Sequence, residues 1–308
     1  MTRATTPRVA VVIVTYFSAD VLGGCLDSLT DQGVTLTDVV VADNGSTDAT
    51  LKVATQEREL PVRVVELGRN AGYSAAINAG IATLDLSTVD AVMILNPDCR
   101  PRPGAIGVLA AALRPDRGIT VPLLLNQDGS LQPSLRRPPT VTRALAESLL
   151  GARATKLGSL SEMIVDPAAY TQAGPVTWAT GAAMLISAEA VARLGDWDES
   201  FLLYSEETEY CLRAADHGLA TWFEPAAVIE HTGGELLRNP FLSKLAVVNR
   251  VELFRRRHGR VRSAAYFAAV AAGEGLRALA GRATARAAFT ALMLPSRRVR
   301  ELPSREQA

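Results

Sequence analysis

The sequence predicts an α/β fold, with a mostly parallel central sheet flanked by helices and a C-terminal helical extension. Three observations carry this expectation. Short β-branched runs alternate with amphipathic stretches in the order β-α-β-α-β-α-β up to Leu95, the pattern of a parallel sheet with right-handed crossovers. Each run opens into a polar or Gly-rich loop, so these loops share one rim, where open α/β sheets bind ligands. Beyond Leu236 the composition turns basic and Ala-rich, which divides the chain into a domain over 1–235 and an extension over 236–308.

Taken in order, Arg8 to Thr15 (RVAVVIVT) reads as a buried strand. Ser18 can cap a helix through Leu29, in which Val21, Leu22, Cys25, Leu26 and Leu29 recur at helical spacing. Asp38 to Asp43 is the second strand and Thr47 to Glu59 a helix. Val62 to Leu67 is the third strand, and the loop Gly68-Arg69-Asn70-Ala71-Gly72-Tyr73-Ser74 leads into a helix ending at Thr83. Asp90 to Leu95 is the fourth strand. It runs into Asn96-Pro97-Asp98, where proline forces a turn and leaves an amide and a carboxylate at the strand end. A hard divalent cation shared with a substrate phosphate needs one or two such oxygens; an ordinary Asx turn uses the same residues.

A helix over Gly104 to Leu113 and a strand over Ile119 to Leu125 follow, then an Asp-Gly turn within Asn126 to Ser130 that suggests a hairpin. Pro133 to Pro139 is irregular and basic, and Thr142 to Tyr170 reads as a loop containing a helix. Thr177 to Ser187 holds Trp178 and Gly181 in a loop before a strand, and a short helix ends near Gly195. Ser205 suits the N-cap of a helix to Asp216 whose first turn carries Glu206, Glu207 and Glu209. Helix-dipole complementarity explains acidic residues there, but a partly desolvated Glu207 would also make a general base. Ala220 to Ile229 is a strand broken near Pro225 that leads to His231, and beyond Leu236 two or three Ala-rich helices precede a polar tail.

Composition narrows the function. The 308 residues carry 32 Lys plus Arg and 32 Asp plus Glu. Fifteen of the basic and four of the acidic residues lie from Leu236 onward, leaving 17 against 28 in the remainder. A basic extension points to an anionic membrane surface or to nucleic acid, and the absence of interleaved aromatics argues against nucleic acid. Its helices can alternatively pack on the body or on a second copy of the chain as a homodimer. Three cysteines without a Cys-x-x-Cys pair argue against disulfides or a thiolate metal site and fit a reducing cytoplasm. No segment approaches the ~20 apolar residues of a spanning helix. Neither a Gly-x-Gly-x-x-Gly fingerprint nor a Walker-type loop follows the first strand.

Seven motifs in order resemble glycosyltransferase family two, in its bacterial rhamnosyltransferase-like branch. They are Val-Thr-Tyr, Val-Ala-Asp-Asn-Gly-Ser-Thr-Asp, Asn-Ala-Gly-Tyr-Ser-x-x-x-Asn-x-Gly, Leu-Asn-Pro-Asp, Trp-x-x-Gly-Ala-x-Met, Tyr-Ser-Glu-Glu-x-Glu-x-Cys-x-Arg and His-x-Gly-Gly, spread over Arg8 to Gly234. The resemblance implies a GT-A fold and inverting transfer of a sugar from a nucleotide diphosphate donor, a dTDP- or UDP-sugar. The sugar would be rhamnose or another hexose, and the acceptor a hydroxyl on a glycan, a lipid-linked carrier or a small molecule. It implies that Thr15, Tyr16, Asp43, Asn44, Asn70, Gly72, Asn78 and Asn96 hold the nucleotide sugar. Trp178, Gly181 and Glu206 would line the sugar and acceptor pocket, and Glu207 would be the catalytic base. Asp98 and His231 would hold Mg²⁺ or Mn²⁺. Two positions depart from the family pattern: Asn96 replaces the first Asp of an Asp-x-Asp, and Glu207 stands where Asp is usual. The implied setting is polysaccharide or cell-wall synthesis in a bacterial cytoplasm, at the inner membrane face. A nucleotidyltransferase would want a Gly-rich, basic loop after strand one, which is missing, and a non-catalytic sugar-nucleotide-binding or scaffold protein is the alternative.

Overall fold

Strand β1 (Arg8–Thr15) is buried on both faces. Val9, Val11 and Ile13 belong to one apolar layer and Ala10, Val12 and Val14 to the other. A β-branched run covered on both sides suits a strand between parallel neighbours. The computed structural model describes residues 6–233 and 239–302.

After β1 come α1 (Ala19–Asp27), β2 (Thr35–Asp43), α2 (Thr50–Ala54), β3 (Val62–Glu66), α3 (Tyr73–Ile81) and β4 (Ala91–Leu95). The chain continues through β5 (Cys99–Pro101), α4 (Ala105–Ala112), β6 (Ile119–Leu125), β7 (Leu135–Arg136) and α5 (Val141–Leu150). A stretch of 3-10 turns leads to β8 (Gly174–Val176), β9 (Trp178–Ala179), β10 (Ala183–Ser187), α6 (Ala188–Leu194), α7 (Glu206–Asp216) and β11 (Thr221–His231). Three helices follow: α8 (Pro240–Arg257), α9 (Arg260–Leu279) and α10 (Ala283–Met293).

The main sheet has the order β3-β2-β1-β4-β10-β6-β11-β5. The pairs β3-β2, β2-β1, β1-β4 and β6-β11 are parallel, while β10 runs antiparallel to both β4 and β6. The carboxyl ends of β1, β2, β4, β6 and β11 therefore share one rim, as the sequence predicts. Because β10 runs the other way, its start joins them there, and Ala183 pairs with Leu95. Helices α1 and α4 cover one face and α3, α6 and α7 the other.

Most elements lie where periodicity predicts them, but several differ. The helix expected over Thr47 to Glu59 is only Thr50–Ala54. Asp48 Oδ1 accepts from the Thr50 amide and hydroxyl, and Arg58 closes the other end on the Val53 carbonyl; the Gln-Glu-Arg-Glu segment between has no apolar face to bury. Ser18 and Ser205 occupy N-cap positions without capping through their side chains. The Ser18 hydroxyl turns back to Tyr16, and Ser205 has a φ of 79°. The expected hairpin is a tight turn closed by one bridge, Leu125 to Leu131. The basic stretch at 133–139 contains β7, which pairs with β9.

The helices α8 to α10 pack against the body. Phe254, Tyr266, Ala269, Val270 and Leu292 bury a common core with Ala144 of α5, and the Phe254 and Tyr266 rings stack at 3.9 Å. Each large side chain buried this way contributes ~1.5–3 kcal/mol. The ion pairs Arg256–Asp198 (2.8 Å) and Arg257–Asp216 (2.7 Å) also bridge to the body, but partly exposed pairs add at most ~1 kcal/mol each. Gly234 and the expected boundary at 235/236 lie outside the described residues.

Candidate active site

The rim holds two adjoining groups of residues. On the β1–β2 side, Asp43 is buried at a strand end, and its carboxylate accepts from the Thr15 hydroxyl (2.7 Å), the Ser46 hydroxyl (2.6 Å) and the Ser46 amide (2.7 Å). Thr15 is itself buried, and its hydroxyl orients Asp43. Tyr16 continues from β1 and packs edge-on against Phe17, whose amide donates to the Ser46 hydroxyl (2.9 Å). Asn44 grips the next loop: its Oδ1 accepts from the Ala71 amide (3.1 Å) and its Nδ2 donates to the Gly72 carbonyl (3.3 Å). That holds half-buried Asn70 on the same side.

On the β4–β11 side, register makes the site. Cys99 of β5 pairs with His231 of β11, which puts Asp98 beside His231. Asp98 Oδ1 is 3.4 Å from His231 Nε2, and Oδ2 accepts from the Gly233 amide at 2.9 Å. Burial would raise the Asp98 pKa, but His231 and the Gly233 amide outweigh it and hold the carboxyl below its ordinary value. The other ring nitrogen, Nδ1, lies 2.6 Å from Gln132 Oε1, and the Gln132 amide nitrogen donates to Asn126 Oδ1 (2.9 Å) and the His231 carbonyl (3.1 Å). Gln132 can therefore only accept from Nδ1–H, so Nε2, which faces Asp98 Oδ1 and lies 3.4 Å from Asn96 Nδ2, is the ring nitrogen that could ligate a cation when deprotonated. Asp98, Cys99 and His231 place ligand atoms within 4.8 Å of one another. The Cys99 thiol donates inward to the Ala182 carbonyl (3.3 Å), so Asp98 and His231 are the pair suited to a hard cation.

Asn96 Oδ1 lies 2.8 Å from the Tyr73 hydroxyl, which is also 2.9 Å from the Gly181 carbonyl. Asn96 thus anchors Tyr73 through Oδ1, while its Nδ2 lies 3.4 Å from His231 Nε2.

Beside these residues opens a cavity of about 700 Å³, whose lining includes Asn96, Arg136, Trp178, Gly181, Glu206, Glu207 and His231. A Cβ built on Gly181 would come 3.3 Å from Glu207 Cβ, so a larger residue there would press on the glutamate. One carboxylate oxygen of Glu206 and one of Glu207 are buried with no hydrogen-bond partner among the described residues. Burial raises both pKa values, and that of Glu206 is driven further by the charge of Glu207. Trp178 donates from Nε1 to the Arg137 carbonyl (3.2 Å), and its ring faces the Arg136 guanidinium at 5.8 Å.

A model of the family described as glycosyltransferase-like family 2 matches residues 7–253. A Mycobacterium tuberculosis protein, N-acetylglucosaminyl-diphospho-decaprenol L-rhamnosyltransferase, is 32% identical over 244 residues, covering 75% of this chain and 78% of that one. The chain belongs to glycosyltransferase family 2. Its GT-A fold is shared by a mannosyltransferase of Pyrobaculum calidifontis solved with GDP-Man and Mn²⁺, at TM-score 0.55, 19% identity and 96% and 83% coverage of the two chains. It is shared too by a glucosyl-3-phosphoglycerate synthase of Mycobacterium tuberculosis solved with Mn²⁺, UDP and phosphoglyceric acid, at TM-score 0.52, 17% identity and 80% and 78% coverage.

Within this family-2 glycosyltransferase, Asn96, Trp178, Gly181, Glu206, Glu207 and His231 meet at the cavity, with Asp98 adjoining. Asn78, expected to hold the nucleotide sugar, exchanges bonds with the Trp197 backbone (2.8 and 2.9 Å) and donates to Glu199 (3.0 Å), so it pins that loop. Tyr73, Gln132 and Arg136 escaped the sequence reading. Tyr73 stood inside a quoted motif and Arg136 inside the basic stretch, whereas nothing local marks Gln132, which acts 99 residues from its partner.

Proposed function

We propose that this glycosyltransferase moves a sugar, rhamnose in the first instance, from a dTDP- or UDP-sugar to a hydroxyl of a lipid-linked glycan acceptor, with inversion. The observation that carries this reading is Glu207: a carboxylate with a buried oxygen unpartnered among the described residues, on the wall of a cavity that His231 also lines, with Asp98 beside it. The named rhamnosyltransferase relative supports the donor and the lipid-linked acceptor.

In the mechanism, Asp43, Asn44 and Asn70 receive the nucleotide along the β1–β2 side of the rim. The sugar lies against Trp178 and Gly181. Glu207 removes the proton from the acceptor hydroxyl as its oxygen attacks the anomeric carbon. The bond to the diphosphate breaks in the same step, so the configuration inverts. Glu206, protonated through burial beside Glu207, avoids a second negative charge there. Asp98 and His231 would hold Mg²⁺ or Mn²⁺, which when bound supplies charge to offset that developing on the nucleoside diphosphate. Asp98→Ala should abolish Mn²⁺-dependent thermal stabilisation of the protein with UDP; equal stabilisation in both proteins would remove Asp98 from the metal site.

For Glu207→Gln, turnover should fall by ~10²–10⁴-fold, the range for loss of a general base, while donor binding by calorimetry stays near wild type. The carboxylate must be ionised to act. Activity should therefore fall as pH drops through its raised pKa, above the ordinary glutamate value of about 4.3. A variant with near-wild-type turnover would exclude Glu207 as the base.

We also propose that the cavity mouth faces an anionic membrane. Leu145 and Leu149 of α5 and Leu276 and Leu279 of α9 are exposed, at 45%, 74%, 55% and 88%. Exposed Arg153 and Lys156 in the turn after α5, Arg282 just before α10 and Arg286 within it have no ion-pair partner among the described residues, and Arg282 lines the cavity. Apolar residues ringed by cations suit an interfacial surface, each Arg adding ~1 kcal/mol near anionic lipid. Among the described residues no helix is long and apolar enough to cross a membrane. The protein should sediment with anionic but not zwitterionic vesicles at low salt, and Leu149→Ser with Leu279→Ser should weaken this. Indifference to both lipid charge and the double substitution would overturn it.

A further inference from the structure

The loop that delivers Glu206 and Glu207 is held in an unfavourable backbone conformation. Leu202, Tyr204 and Ser205 have φ values of 63°, 69° and 79°, a region that non-glycine residues rarely occupy. Such a loop persists only where its surroundings over-determine it. One surrounding group is Asn249 of α8. Its side chain is buried, at 7% exposure, and its Nδ2 lies 2.6 Å from the Phe201 carbonyl, 2.9 Å from that of Leu203 and 3.1 Å from that of Tyr204. Two N–H groups thus serve three carbonyls of one loop. Asparagine is a poor choice for a helix interior, and docking α8 does not require it, because the Arg256 and Arg257 ion pairs and Phe254 already anchor that helix.

We propose that Asn249 is a positioning residue: from the C-terminal helices it fixes the Phe201–Ser205 loop so that the Glu207 carboxylate is presented to the cavity. This rests on Glu207 as the general base. The extension then completes the active site, and the acid-base geometry depends on a contact 45 or more residues away along the chain.

The test compares Asn249→Ala, Glu207→Gln and the double variant, with Leu245→Ala as a packing control on the same buried helix. Asn249→Ala should lower kcat by about 10- to 100-fold, the loss expected from a displacement on the order of 1 Å, with the donor KM changed by less than about threefold. The acid limb of its pH profile should move. In the Glu207→Gln background it should cost nothing further, since the two act as one unit. Asn249→Ser, which keeps one donor, should be intermediate, and it carries the test if the alanine variant does not fold. Leu245→Ala should lower the melting temperature and leave kcat unchanged. The proposal is overturned if kcat of Asn249→Ala is within about twofold of wild type beside an inactive Glu207→Gln, or if Leu245→Ala costs kcat as much. It is also overturned if the loss persists in full in the Glu207→Gln background. A Glu207→Gln variant with full activity would instead remove the base assignment itself.

Discussion

The Gly72 backbone lies so close to Leu202 that no side chain fits between them. A Cβ on Gly72 would collide with the Leu202 carbonyl oxygen and come within 3.0 Å of its carbonyl carbon, and the φ of 100° at Gly72 independently favours glycine. Through this contact the two halves of the site are one object. On one side Asn44 bonds to the Gly72 carbonyl, and on the other the Tyr73 amide donates to the Leu202 carbonyl at 2.8 Å. The loop that precedes Glu206 and Glu207 is thus tied to the loop that follows β3. A shift of either would change the distance between the β1–β2 side of the rim and the carboxylate that faces the cavity.

Two carboxylates occupy contrasting environments and have correspondingly different chemistry. Asp98 accepts from a backbone amide, stands beside an imidazole and is held ionised at low pH. Glu207 keeps a buried oxygen without a hydrogen-bond partner among the described residues, and burial raises its pKa. An ionised carboxylate in polar surroundings suits a cation, while a desolvated carboxylate suits proton transfer. Environments that push titratable groups apart in this way separate their roles.

How much of this could be read in the sequence depended on range. β1 and β6 start and end where their apolar runs do; in β1, burial on both faces leaves no alternation to blur the ends. β2 begins at Thr35, earlier than its apolar core suggests, since Thr35 and Leu36 pair with Arg8 and Val9 of β1 before a bulge passes over Thr37. The helix at 50–54 was overestimated because its polar continuation had nothing to pack on. Asp98 and His231 could be named individually, but their adjacency arises from the β5–β11 register, which no local pattern encodes. Gln132 fixes the His231 tautomer and Asn249 braces the glutamate loop, and both do so across dozens of residues. The C-terminal helices, legible as Ala-rich and basic, gave no sign that one of them reaches the active site.

The central claim is a single displacement at the anomeric carbon by an acceptor hydroxyl. The most direct measurement is the anomeric configuration of the initial product, read by proton NMR during turnover of a dTDP- or UDP-sugar with a polyprenyl-diphosphate-linked acceptor. The account predicts a glycoside whose anomeric configuration is opposite to that of the donor. A product that retains the donor configuration would contradict it, as would release of free sugar with no glycoside formed on any acceptor.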